Sequence, residues 1–194
     1  MSGQVTNGQV TNGQVTDGLT WRRLELTGFG VHDGCKFEFP EGLAAYVAPN
    51  ENGKSTAVAG LTAVVFGLPG VSDKTAWGQA RYRSTRGLSR FEGSVEFLAL
   101  DGQVYRVWRN FATHQVRLAR LENGSYTTVF DGEHNPAARK GAPQYEEHLR
   151  LLVGISSNEV FNHTFSICQP LAWGGALSNE VATLLSGSGG GSYH

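Results

Sequence analysis

Apolar and polar residues alternate along residues 21–27 (WRRLELT) and again along 36–39, the period of a strand with one buried face. The turn formers His32, Asp33 and Gly34 lie between them, so the pattern predicts a hairpin. Residues 44–47 (AAYV) are apolar throughout and predict a short buried strand, which runs into a loop rich in Asn and Gly. Behind that loop, residues 57–66 (AVAGLTAVVF) are apolar at nearly every position over a helical length, as in a helix buried all round. Periodicity is lost over 67–90, where Gly, Ser and Thr accompany Lys74, Arg81, Arg83, Arg86 and Arg90, which predicts a long basic loop. Alternation returns over 93–100, 104–110, 115–121 and 126–130, with the turn sequences Asp101-Gly102 and Glu122-Asn123-Gly124 between segments, so an antiparallel meander is expected. Leu149, Leu152 and Val153 then place a helix over 145–153, and Ser157 is positioned to cap another. A strand-like stretch over 164–169 and a helix over 177–185 complete the pattern.

Composition trims this picture at both ends. Residues 1–18 repeat GQVTN, GQVTN and GQVTD, and one Val per five residues builds no core; residues 186–194 are a Gly/Ser linker-like tail. The folded unit is therefore expected over 19–185. With 40% hydrophobic and 17% charged residues, the chain has the means to fold. A net charge of -1 removes any whole-chain electrostatic case for nucleic-acid binding, so DNA contact would need a local patch. The 74–90 stretch is the one candidate patch for double-stranded DNA; a solvated mobile loop accounts for it at least as well. The two cysteines, Cys35 and Cys168, lie far apart without metal-ligand spacing, the histidines are scattered, and neither set predicts a metal centre. No apolar run approaches the roughly 20 residues that span a bilayer, and a cytoplasmic protein with no membrane partner is expected.

The chemistry concentrates in residues 48–56 (APNENGKST). A phosphate-binding P-loop needs amides turned inward, a lysine for the β- and γ-phosphates and a hydroxyl for Mg²⁺ where a helix starts. Gly53, Lys54 and Ser55 supply these, with the predicted strand before and the apolar helix after. Asn50, Glu51, Asn52, Gly53, Lys54, Ser55 and Thr56 are thus the candidate nucleotide-binding residues, for ATP with Mg²⁺. Ala48 stands where the G-x-x-x-x-G-K-[ST] pattern begins with glycine, and lacks that residue's access to positive φ.

The order WRRLELTGFGVHDGCKFEFPEG, LAAYVAPNENGKST and a helix ending FGLP resembles the N-terminal lobe of SMC-like ATPases of the SbcC and YhaN types. The residues 49–56 (PNENGKST) carry most of this resemblance, which spans about 21–185. It implies an α/β fold, a P-loop NTPase of the ABC ATPase head type, with a mixed sheet beside the antiparallel β-meander. It also implies that Gln169, at the end of FSICQ, touches the metal and the attacking water, so that Lys54 and Gln169 would serve catalysis and Ser55 and Gln169 the metal. Gly30 falls where many relatives carry a basic residue, so no arginine role transfers there. The Walker B strand, signature motif and switch histidine of such heads are not visible. A C-terminal lobe would have to supply them, so ATP hydrolysis is expected only from the completed head. Implied partners are that lobe, a second head engaged on ATP binding, a nuclease subunit and double-stranded DNA, in double-strand-break repair or chromosome maintenance; a long coiled coil joins the lobes in such proteins. A self-contained P-loop nucleotide-binding or transferase domain unrelated to DNA is the alternative. It would need its own Walker B acid, and Asp101 and Asp131, the acids that follow apolar strands, both fall in turns.

Overall fold

The computed structural model describes residues 18–42, 45–47, 49–138 and 142–164. Strands β1 (Thr20–Phe29) and β2 (His32–Glu38) form the first hairpin. Its turn falls at Gly30 and Val31, two residues earlier than the turn formers suggested, because Gly28 and Gly30 both take positive φ and two register shifts absorb the change. Helix α1 (Lys54–Phe66) follows the Asn-rich loop. The basic stretch holds a short helix α2 (Gln79–Tyr82) that its composition did not announce. Strands β3 (Glu92–Leu98), β4 (Val104–Asn110), β5 (Gln115–Glu122) and β6 (Ser125–Glu133) are the expected meander, and α3 (Pro143–Leu152) and α4 (Asn158–Thr164) are the expected helices. The Ser157 hydroxyl accepts from the Val160 amide at 3.4 Å, as its capping position required.

The six strands form one sheet in the order β2-β1-β3-β4-β5-β6, with every neighbouring pair antiparallel. Two expectations change here. The mixed sheet is not found among the described residues, which hold no parallel pair. Residues 45–47 are not a buried strand: they pair with no strand, Tyr46 is 59% exposed and Val47 91%. An extended segment is stable as a strand only where a neighbour takes its N–H and C=O groups, and none of the described strands pairs with this one. The strand-like stretch over 164–169 lies outside the described residues except Thr164, which ends α4.

Helix α1 packs on one sheet face, where Leu24, Leu26, Val95, Val107, Val116 and Leu118 are buried with Val64 and Val65 of the helix. The approach is close enough that a Cβ on Gly60 would sit 2.4 Å from Leu26, and one on Gly93 2.7 Å from Val64. The opposite face carries cross-strand ion pairs, Arg23–Glu38, Lys36–Glu25, Arg106–Glu96 and Arg117–Asp131, whose exposure keeps each contribution small.

The C-terminal end of α1 is held by a buried arginine. Tyr105, Val107 and Arg109 alternate inward along β4, and Arg109 is 1% exposed. Its guanidinium donates to the carbonyls of Val64 (2.8 Å), Val65 (3.2 Å) and His134 (2.9 Å) and to His134 Nδ1 (3.2 Å). The Tyr145 hydroxyl donates to the same Val65 carbonyl at 2.7 Å. These donors satisfy carbonyls that a helix end leaves without partners, and the positive charge opposes the negative end of the helix dipole.

Since Arg109 only donates, His134 Nδ1 accepts and the ring is neutral. Burial foremost, then the charge of Arg109 and the nearby His114, push His134 down to about 3. The 3.6 Å approach of its Nε2 to Glu146 is therefore a neutral N–H facing a carboxylate. A histidine whose folded pKa lies below its ordinary 6.5 stabilises the fold fully above that value. Stability should thus fall progressively as pH drops from 6.5 towards about 3, at up to about 1.4 kcal/mol per pH unit from this group. Urea unfolding across that range checks it: His134→Gln should flatten the slope, and an unchanged slope would show that the ring is not protected.

Candidate phosphate-binding loop

Asn50, Glu51 and Asn52 form an exposed turn, with Glu51 in the left-handed region at φ 69°. Gly53 follows at φ 79° and ψ 17°, and α1 begins with the next residue. A side chain at Gly53 would be strained by that φ and would also strike Val31 at 2.5 Å and His32 at 2.7 Å. The Ala57 amide bonds the Gly53 carbonyl at 2.8 Å, the first closed turn of the helix. Consequently the first-turn amides, those of Ser55 and Thr56 among them, have no acceptor within the helix, and no side chain caps it. No acidic residue occupies that first turn. Lys54 and Ser55 are thus carried on the electropositive end of a helix.

The Lys54 ammonium turns back over the loop and donates to the Pro49 carbonyl at 2.8 Å. The lysine therefore sits over the loop it would share with a phosphate. Ser55 is exposed and Thr56 half-buried. The donor set, amides, an ammonium and a hydroxyl with a single nearby acid, fits a phosphate chain with Mg²⁺. Among the described residues no cluster of three or more His, Cys, Asp or Glu could hold a metal. Ala48 and Gln169 lie outside the described residues, so the loop's first position and the expected Q-loop are not placed.

The hairpin turn supports the loop from below. Gly30 lies so near α1 that a Cβ there would meet the Thr56 methyl at 2.6 Å. His32, 4% exposed, packs edge-on against Phe37 with ring centroids 5.1 Å apart, and its Nε2 lies 3.0 Å from the Gly53 carbonyl. A carbonyl only accepts, so Nε2 carries the proton and His32 donates. The sequence did not reveal this role, because 21 residues separate the partners and a lone histidine beside a turn carries no spacing signal. His32→Phe keeps the ring and removes the donor. It should speed exchange of the Ala57 amide, which bonds the same Gly53 carbonyl, by about fivefold, the worth of one hydrogen bond of about 1 kcal/mol. Exchange by NMR with the amides of the sheet unchanged checks this; an unaltered Ala57 amide would mean that the bond does not hold the loop.

Residues 19–83, from β1 through the loop and α1 to the end of the basic helix, match the family model described as an AAA domain. No curated protein matches the chain. The match, with the loop geometry, supports nucleotide binding of the AAA ATPase type for this segment. No helix among the described residues is long and apolar enough to cross a membrane.

Proposed function

We propose that the chain is the ATP-binding N-terminal lobe of an SMC-like ATPase head, completed by a C-terminal lobe. The observation that carries this reading is Lys54 and Ser55 on the first turn of an apolar helix, behind a left-handed Gly53, within the segment that matches the AAA domain. In this reading Lys54 leaves the Pro49 carbonyl to take β- and γ-phosphate oxygens. The amides of Asn50 to Thr56 cradle the phosphates, Ser55 ligates Mg²⁺, and Gln169 orients the metal and the attacking water. Mg²⁺, when bound, offsets the charge of the phosphates, and the protein's part is positioning.

Incomplete burial around the loop supports the need for a second lobe. Tyr46 and Val47 precede it with 59% and 91% exposure, and Val58 of the otherwise apolar α1 is 45% exposed. An Ala-Tyr-Val segment beside a phosphate loop has the composition of a central strand, and a neighbouring strand from the C-terminal lobe would cover it. That lobe also supplies the general base and the signature motif, so hydrolysis awaits it. ATP then closes two such heads, and the function is in double-strand-break repair or chromosome maintenance in the cytoplasm, with a nuclease subunit and DNA as partners. Calorimetry with Mg²⁺-ATP tests the reading: weak binding by the chain should become tight when the C-terminal lobe is added. Tight binding and turnover by the chain alone would overturn it in favour of a self-contained P-loop enzyme.

A further inference from the structure

The basic stretch is not a loose loop; two turns of the sheet hold it. Gln79, the first residue of α2, donates from its side-chain amide to the Phe111 carbonyl at 2.5 Å, and its backbone amide donates to the Pro69 carbonyl at 3.0 Å. The Tyr82 ring stacks on the buried Phe29 with centroids 5.0 Å apart, and Phe29 packs on Phe111 at 5.1 Å. Past α2 the backbone joins the end of β1: the Gly30 amide donates to the Tyr82 carbonyl at 2.6 Å and the Ser84 amide to the Gly28 carbonyl at 3.0 Å. Residues 79–84 thus bridge the turn between β4 and β5 and the turn between β1 and β2.

At the β4–β5 end the contact carries a chemical condition. A carbonyl only accepts, so the Phe111 contact fixes the NH₂ group of Gln79 on that side. The same nitrogen lies 3.3 Å from His114 Nε2. An amide nitrogen only donates, so Nε2 holds the lone pair and the neutral ring carries its proton on Nδ1. The backbone keeps the ring in place. His114 takes the left-handed conformation at φ 60°, uncommon for a residue with a side chain, and its carbonyl accepts from the His134 amide at 2.9 Å. Asn110 Oδ1 accepts from the amides of Ala112 and Thr113 at 3.0 and 3.1 Å, which closes the turn that presents it. Protonation would set a ring N–H against the Gln79 NH₂ group. Turning the amide over gives no relief, because its oxygen would then face the Phe111 carbonyl.

The charged and titratable groups acting on the ring are Glu133 on β6, Arg109 on β4 and His134 just past β6. Burial foremost holds the His114 pKa below its ordinary 6.5, with Glu133 raising it and Arg109 lowering it. A histidine lowered in this way keeps its folded contacts fully above 6.5 and loses them as pH falls through the folded value. His134, pushed down to about 3, titrates below His114 and does not supply the change.

We propose that His114 and Gln79 form an acid-released latch on the basic stretch, closed while the His114 ring is neutral and open once it is protonated. Opening frees α2 from the β4–β5 turn and leaves the stretch joined to the sheet at the β1 end. The device is independent of the nucleotide-binding reading.

The test is NMR of the full chain from about pH 7.5 to 4.5, a range that brackets histidine titration. The His114 ring and the Gln79 side-chain NH₂ signals should move with one midpoint. Over the same change the Arg83 amide, which bonds the Gln79 carbonyl at 2.9 Å, should lose protection from exchange by about fivefold, the worth of one hydrogen bond. The amides of β3 and β4 should keep theirs. His114→Gln offers an oxygen acceptor that does not titrate, so Arg83 should stay protected at the acid end. Gln79→Leu removes the donor that favours the neutral ring: Arg83 should already be unprotected at the upper pH, and the His114 midpoint should rise. This second variant reports even if a glutamine is poorly tolerated at the left-handed position. A ring that titrates with Arg83 unchanged would overturn the proposal, and so would a ring that stays neutral throughout. An acid-induced loss that persists in His114→Gln, or that extends to β3 and β4, would overturn it as well.

Discussion

Lys54→Ala is expected to weaken Mg²⁺-ATP binding by about 10- to 100-fold, the worth of the 1.5–3 kcal/mol of a hydrogen bond to a charged group. Two features make the loss this large. The first-turn amides can still face a phosphate without the ammonium, but each is a neutral donor, and Lys54 is the one cation of the loop. The fold should not register the change. The ammonium donates to the loop's own Pro49 carbonyl at 2.8 Å, an exposed contact away from the core, so thermal unfolding should stay within about 2 °C of wild type. Calorimetry of both proteins, each with and without the C-terminal lobe, measures it. Equal affinity in the variant would mean that the loop does not bind the triphosphate, and the proposed function would fall with it.

Arg109→Leu should produce the largest stability loss in the molecule. The substitution removes the donors that serve the carbonyls of Val64, Val65 and His134, in a site where Arg109 is 1% exposed. Breaking a buried charged network from one side costs about 3–5 kcal/mol, because the partners stay buried without their donors. For a chain of this size that is a fall in Tm on the order of 10 °C. Arg109→Lys should not restore it, since an ammonium cannot serve two helix carbonyls and the His134 pair from one planar fork. Circular dichroism on heating both variants gives the answer, and a shift below about 2 °C would show that the guanidinium does not hold the end of α1. Burial pushes the Arg109 pKa down, yet its partners are all acceptors suited to a protonated guanidinium.

Much of the antiparallel framework could be read from alternation, because a strand with one buried face writes a period of two into its residues. β4, β5 and the turns at Asp101-Gly102 and Asn123-Gly124 lie where the pattern put them, and α1 follows from a run of apolar residues behind Gly53. The candidate phosphate loop was legible for the same local reason: such chemistry needs contiguous residues, and Gly53, Lys54 and Ser55 are contiguous. The inward alternation of Tyr105, Val107 and Arg109 was equally present in the sequence, but charge on an apolar face has no reading until its acceptors are known.

Those acceptors come from residues 25 to 45 positions away in the chain, and the same holds for the rest of what the sequence did not disclose. His32 reaches Gly53 across 21 residues, and the basic stretch gains its place beside the end of β1 through the pairing of Tyr82 and Ser84 with Gly30 and Gly28. Residues 44–47 read as buried because apolar composition records a preference for burial; whether a neighbour arrives to bury them is decided elsewhere. The sequence by itself determined the local terms: strand period, apolar helix and the contiguous loop with its lysine and serine. The tertiary structure decided which distant groups meet, that Arg109 closes one end of α1 while His32 supports the other, and that Tyr46 and Val47 remain exposed at 59% and 91%. Local periodicity is set by neighbours along the chain, whereas burial and hydrogen-bond partnership are set by what the folded chain brings alongside.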